Sequence, residues 1–399
     1  MQNRLAVLLT NMWLDAYGGS EVVVRDLALG LLRRGHRPVV YSPRIGTIGH
    51  ELADQGVAVI DDLRALGETP DIIHAHHTIP CGETLIRFPR TPAIYVCHAF
   101  RHWVEAPVHF PQVAVYAAVD EACRDRLAHT EGIDPRRVVV LPNAVDLRRV
   151  PERPRPLAPT PQRAIAFGKA AAAADIRQAC ARAGIAFETL GYSADRITGQ
   201  PERELVGFDL VFGSARAALE ALCCGCAVVA CDSRGIAGLV TSDNFERLRR
   251  LNFGLRSLTE PLSVTRLLSE IERYDVADAR SVAERARRDA DLERQLDAIE
   301  ALYSEVLDGA RPPDFDAQRH ADAVARFLHD NLPRRPNDPR WPWRHERDQL
   351  RAHIGDLEKA VAAAPGGVGR TWRRKVRQFW RATKSAWRRR FKRGESASP

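Results

Sequence analysis

The stretch that decides the fold begins Leu5-Ala6-Val7-Leu8-Leu9-Thr10, passes through a loop to Gly18-Gly19-Ser20-Glu21 and continues to Arg34. Its first six residues are apolar nearly throughout, as a strand covered on both faces requires. From Ser20 to Arg34 the apolar residues Val23, Leu27 and Leu31 recur at helical spacing. A strand, a glycine turn and a helix make the first unit of a parallel sheet.

The alternation repeats along the chain. Strands are predicted at Val39–Ser42, Val57–Asp61, Asp71–His76, Ala93–His98, Val113–Val119 and Val138–Leu141. Pro151, Pro154, Pro156, Pro159 and Pro161 then form a stiff linker. Strands resume at Ala164–Gly168, Ala186–Gly191, Asp209–Phe212 and Cys226–Cys231, with helices between them. The sequence therefore predicts two doubly wound Rossmann-like α/β domains, 1–150 and 163–307. A cleft would lie between their carboxyl-end edges, where open α/β sheets bind ligands. Residues 308–369 read as a spacer with prolines at 333, 336, 339 and 342, followed by a short helix carrying Leu350, Ile354, Leu357 and Val361 at heptad spacing. Residues 370–399 read as a basic amphipathic tail. Together the last two segments make a helical C-terminal extension.

The net charge of +8 is confined to that tail. Residues 370–393 hold twelve Arg or Lys and no acid, and without residues 370–399 the chain has 47 basic residues against 50 acidic ones. The body is therefore not a basic nucleic-acid binder, and nucleic acid is not an expected partner. Trp372, Phe379, Trp380, Trp387 and Phe391 fall on one helical face opposite most of the cations. A helix of that kind lies in a membrane interface, so an anionic membrane surface is the expected partner of 370–393. A disordered solvated tail and a nucleic-acid arm are the alternatives.

No run approaches the roughly 18 apolar residues of a spanning helix. The N-terminus has no cleavable signal pattern. The expected location is cytoplasmic, peripheral to the inner face of the plasma membrane. The eight cysteines lack zinc-ligand spacing and read as reduced buried thiols. Strand-end histidines, among them His74, His76, His77 and His98, likewise lack a completing carboxylate or thiol at ligand spacing. No metal or cofactor is expected.

Two turns could hold a phosphate. Gly18-Gly19 follows a strand and opens a helix, leaving N–H groups at the positive end of a helix dipole; a plain tight turn is the alternative. Gly213-Ser214 precedes a helix with Arg216 and Glu220, and Ser214 is placed to cap it. Arg216 and Glu220 are four apart, which reads either as a surface ion pair or as a cleft carboxylate that accepts from ligand hydroxyls. Lys169 is the only lysine before Lys359, where the chain otherwise chooses arginine.

Taken together, Gly18-Gly19-Ser20-Glu21, Pro70 to His76, His98, Leu141 to Asp146, Phe167-Gly168-Lys169, Leu219-Glu220-Ala221 and Asp232 resemble the retaining nucleotide-sugar glycosyltransferases of family 4, which have the GT-B fold. The resemblance spans roughly residues 1–305. It implies a nucleotide-sugar donor bound by Gly18, Gly19, Gly168, Lys169, Gly213, Ser214, Arg216 and Glu220, with Lys169 on the diphosphate and Glu220 on the ribose. It implies catalytic roles for His98, Lys169 and Glu220, with His98 beside the transferred sugar and acceptor. The first domain would be the acceptor side and the second the nucleotide side. Phe212 stands where the family has a second glutamate, Ala170–Ala174 follow Lys169 where a basic pair is usual, and Gly238 replaces a common acid. The expected activity is transfer of a hexosyl or deoxyhexosyl unit to a glycan or lipid-linked acceptor, in cell envelope polysaccharide synthesis of a bacterial type. The alternative is a non-catalytic GT-B protein that binds glycan or scaffolds a synthesis complex.

Overall fold

The computed structural model describes residues 4–172, 174–191, 196–309 and 315–332. The heptad segment and the tail aromatics Trp372, Phe379, Trp380, Trp387 and Phe391 lie outside the described residues.

In the first half, β1 (Ala6–Thr10), α1 (Gly19–Arg33), β2 (Arg37–Tyr41), α2 (Thr47–Asp54), β3 (Ala58–Ile60), β4 (Ile72–His76), α3 (Thr78–Arg87), β5 (Ala93–Cys97), β6 (Val113–Ala118), α4 (Glu121–Ala128) and β7 (Val138–Val140) follow in order. Their strands form one parallel sheet of order β3-β2-β1-β4-β5-β6-β7. The order reverses between β1 and β4, so the loops after these strands leave to opposite faces and open a crevice at their carboxyl ends.

The second half contains β8 (Arg163–Phe167), α5 (Ala174–Arg182), β9 (Ala186–Leu190), α6 (Pro201–Leu205), β10 (Leu210–Gly213), α7 (Arg216–Cys223), β11 (Ala227–Asp232) and β12 (Gly235–Leu239). Helices α8 (Phe245–Arg250), α9 (Val264–Glu272), α10 (Val276–Asp289), α11 (Leu292–Gly309) and α12 (Ala317–Asn331) complete the described chain. The sheet order is β12-β11-β10-β8-β9, with the reversal between β8 and β10. Successive side chains explain the apolar runs. Leu210, Phe212, Ala227, Val229 and Cys231 enter one core, while Val211, Val228 and Ala230 enter the core on the opposite face.

Two elements escape a reading by apolar runs. Strand β12 pairs antiparallel to β11 and is short and glycine-rich; Gly235 and Gly238 have φ of 157° and 99°. Helix α12 lies in the segment read as spacer.

Helix α11 places Leu292, Leu296, Ile299, Tyr303 and Val306 in the core of the first half, although it follows the second half in sequence. Each buried aliphatic side chain contributes about 1.5–3 kcal/mol, so this stripe fastens the helix there. Gly30 allows the crossing, because a Cβ at that position would stand 2.7 Å from Leu296 Cδ1. The described residues up to Phe327 form one compact unit. No described helix is long and apolar enough to cross a membrane. All eight cysteines are buried and unbridged.

Candidate donor site

The reversal points of the two sheets face a cavity of about 290 Å³. Gly18, Gly19, Arg25 and Asp26 line it from the first half, Asp146 and Arg149 from the connection, and Gly168, Lys169, Ser214, Arg216 and Glu220 from the second half. Gly213 and His98 are not among its lining residues.

At the α1 entrance the side chain of Glu21 folds back over Gly18, where a Cβ would overlap Glu21 Oε2. Ser20 Oγ donates to Glu21 Oε2 at 2.8 Å. Burial raises the Glu21 pKa above the ordinary carboxylate value, against the lowering from its own N–H, Ser20 and His77. Gly18 and Gly19 thus border the cavity, but the helix start is already faced by a carboxyl of the chain. The Glu21 carboxyl therefore stands where an anion would approach Gly18.

Lys169 follows β8 in a 3-10 turn. Gly168 has φ of 65°, and a Cβ on Gly191, which follows β9, would meet Gly168 Cα at 2.8 Å. The two adjacent strand ends approach this closely because residue 191 has no Cβ, and the positive φ at 168 favours glycine there. Partial burial and the nearby Arg234 hold the Lys169 pKa below the usual lysine value, against the pull of Asp232.

Ser214 does not cap α7. Its hydroxyl donates to Asp232 Oδ2 at 2.6 Å, and Asp232 also accepts from the backbone N–H and side chain of Arg234. The residue before the helix is Ala215, at φ 52° and ψ −131°, with no side-chain cap. The cap expectation fails because the positive φ at Ala215 turns the chain and sends Ser214 toward β11. Gly213 ends β10 inside the core, where a Cβ would lie 3.4 Å from the Ala218 backbone nitrogen; it packs the strand against α7.

Arg216 and Glu220 pair at 2.7 Å, as their spacing predicts, but they do so in the cleft and not on an outer surface. Arg216 also donates to Asp26 Oδ2 at 2.5 Å and to the Ala144 carbonyl at 3.0 Å. Arg25 donates to Asp26 Oδ1 at 2.8 and 3.0 Å, and Arg149 Nη1 stands 3.6 Å from the same oxygen. Burial opposes the charge of Asp26, yet Arg25, Arg216 and Arg149 outweigh it and hold its pKa below the ordinary value. Burial raises the Glu220 pKa; Arg216 and Arg25 oppose this, and Asp26 adds to it.

Residues 17–149 match the family described as Glycosyltransferase Family 4. No curated protein matches the chain. Among solved structures, it is similar to a glycosyltransferase from Rickettsia africae, at 14% identity over 76% of this chain and 99% of that one, with a TM-score of 0.52. It is also similar to Anabaena HepE, solved in complex with UDP-glucose, at 14% identity over 77% of this chain and 100% of that one, with a TM-score of 0.53. At such identity the likeness is one of fold, the two Rossmann-like sheets of GT-B architecture.

His98 lies just past β5, next to the end of β4. Its Nε2 meets His76 Nδ1 at 2.5 Å, and its backbone N–H donates to Glu105 Oε2 at 2.9 Å. Burial, His77 and Arg216 lower its pKa to about 4 against the opposing pull of Glu105. The Arg216 charge thus reaches His98 although the imidazole does not border the cavity.

Arg25, Asp26, Arg149 and Glu202, which lines the cavity and pairs with Arg149 at 3.1 Å, were missed by the sequence reading. The available signal was the adjacent charged pair Arg25-Asp26 inside the apolar run Val22 to Leu31, two charges on a helix with little polar surface to spare.

Proposed function

We propose that the chain transfers a sugar, with retention, from a nucleotide-diphosphate donor to a glycan or lipid-linked acceptor. One observation carries the proposal: Lys169, Glu220 and the glycine-lined strand ends border a single cavity between the two sheets. Departure of a nucleoside diphosphate builds negative charge, which Lys169, Arg216 and the α7 N-terminus would stabilise. Glu220 Oε1 accepts from Arg216, which leaves Oε2 for ribose hydroxyls. His98 would meet the transferred sugar from the acceptor side. These roles need no metal ion.

HepE, solved with UDP-glucose, makes uridine nucleotides the first donors to try. Calorimetry of the full chain against UDP, GDP and their hexose and deoxyhexose conjugates tests the reading; no binding across the panel would overturn it. The amphipathic sequence 370–393 supports a membrane-bound acceptor. Cosedimentation with anionic vesicles should fall when the chain is cut at Pro365, and equal pelleting would remove the membrane arm of the proposal.

A second reading is favoured by the Arg216–Glu220 pair, which already occupies one carboxylate oxygen, and by Phe212 in place of the usual glutamate. On that reading the chain binds a glycan or scaffolds a synthesis complex without turnover. Nucleotide release in the presence of candidate acceptors separates the two.

A further inference from the structure

Beyond the cavity, the carboxyl edge of the first sheet carries a chain of side chains that donor binding does not explain. His74 Nδ1 lies 2.8 Å from the Tyr303 hydroxyl, and His74 stacks on His76 with ring centroids 5.0 Å apart. The His76 and His98 rings lie edge to edge, 21° from coplanar with centroids 4.8 Å apart, and His76 Nδ1 meets His98 Nε2 at 2.5 Å. Strand pairing makes this contact, since His76 lies opposite Val96 on β5 and His98 follows two residues later.

Two facing ring nitrogens at hydrogen-bond distance share one proton, so one ring donates and the other accepts. If His98 donated from Nε2, His76 would carry its own proton on Nε2. That atom is buried and has no hydrogen-bond partner. Orphaned buried N–H groups are rarer than underused acceptors, so the arrangement favours a proton on His76 Nδ1 and a bare His76 Nε2. His98 must then accept at Nε2 and carry its proton on Nδ1.

The neighbouring bonds are consistent. His77 Nδ1 accepts from the Met12 N–H at 3.0 Å, so the His77 proton sits on Nε2, which faces Glu105 Oε1 at 3.3 Å. The other Glu105 oxygen holds the His98 N–H, fixing the backbone from which the His98 ring projects. The charged and titratable groups that act on His98 are Glu105, His77 and Arg216, and those that act on His76 are His74, His77 and His98. Burial is the largest influence on both rings and favours their neutral forms.

We propose that His76 is a positioning residue for His98: it donates from Nδ1 to His98 Nε2 and so presents His98 to a ligand oxygen as a neutral Nδ1–H donor. This rests on the reading that His98 faces the transferred sugar. It adds that His98 has no free lone pair with which to deprotonate an acceptor hydroxyl. Removing His76 releases His98 to the Nε2–H tautomer that free imidazole side chains prefer.

The full chain labelled with 15N-histidine reports tautomers directly in long-range proton–nitrogen correlation spectra at pH 7.5, with His98→Gln assigning the His98 signals. The expected wild-type spectrum has His98 protonated at Nδ1. His76→Asn keeps an N–H at the place of Nδ1 and should leave that pattern unchanged, whereas His76→Leu should move the proton to Nε2. A wild-type His98 protonated at Nε2, or a pattern unmoved by His76→Leu, overturns the proposal. If the leucine variant does not fold, the wild-type and asparagine spectra decide: Nε2 protonation in either one overturns it. The spectra need no donor, so a failure of nucleotide binding would sink the transferase reading and leave this result standing.

Discussion

Arg216 on α7 donates to Asp26 on α1 across the cleft at 2.5 Å, and both side chains are at least nine-tenths buried. The same guanidinium holds Glu220 at 2.7 Å, so one side chain ties the first half of the chain to the ribose-binding carboxylate proposed for the second. Leaving a buried charge without its partner costs about 3–5 kcal/mol. Arg25 still holds Asp26 when Arg216 is removed, and Glu220 still holds Arg216 when Asp26 is removed, so Asp26→Ala and Arg216→Ala should each lose less than that in urea unfolding, about 1–3 kcal/mol. The double variant should lose clearly less than the sum of the two. Additive losses would show that the pair does not act as a unit.

The turn into α7 stores strain that a single substitution can relieve. Ala215 adopts φ 52° with ψ −131°, a conformation favourable to glycine and costly to a residue with a Cβ. Its N–H donates to the Phe253 carbonyl at 2.9 Å, which helps hold the strained turn in place. Ala215→Gly should raise stability by about 1 kcal/mol, and Ala215→Val should lower it by at least as much. Thermal unfolding of the two variants gives the sign; a glycine variant no more stable than wild type would mean that the turn is not strained.

The sheets were legible where the physics is local. Apolar runs such as Leu5–Thr10 and Val113–Val119 became strands because both faces of a parallel sheet are covered. Strand β12 was not legible, since its glycines serve backbone geometry and leave no run. Nor was the return of α11 to the first core, because Leu292, Leu296, Ile299, Tyr303 and Val306 mark a buried stripe without naming the surface that buries it. Gly168, Lys169, Arg216 and Glu220, singled out by motif and spacing, line the cavity. Asp26 was missed because its role depends on Arg216, 190 positions away in the chain. The Ser214 cap failed because local spacing cannot foresee a competing partner such as Asp232.

The histidine chain should make the protein sensitive to acid well above the carboxylate range. Burial lowers the His74 pKa from 6.5 to about 3, with His98 adding to the shift, and His98 itself is lowered to about 4. The folded rings stay neutral while the unfolded chain takes up protons below pH 6.5. Stability contributed by keeping them neutral is therefore present above pH 6.5 and is lost as pH falls toward the folded values. Asp26 has a lowered pKa, so its contribution is kept until pH falls below the ordinary aspartate value of 3.8. Urea midpoints should thus drop between pH 6.5 and 4, and His74→Gln should flatten that slope. A slope unchanged by His74→Gln would place the acid response elsewhere.

Lys169 and Glu220 are proposed to touch different parts of one donor, and a pair of ligands can tell them apart. A charge-assisted hydrogen bond contributes about 1.5–3 kcal/mol, which corresponds to roughly 10–150-fold in affinity. Lys169→Ala should weaken UDP binding within that range and leave uridine nearly unaffected, because only the diphosphate would meet the ammonium. Added salt should shrink the difference between the wild type and this variant. Glu220→Gln should weaken UDP and uridine by similar factors, since both carry the ribose hydroxyls that the carboxylate would accept from. If Lys169→Ala weakens uridine as strongly as UDP, the lysine does not serve the phosphates, and the orientation proposed for the donor in the cavity is reversed or wrong.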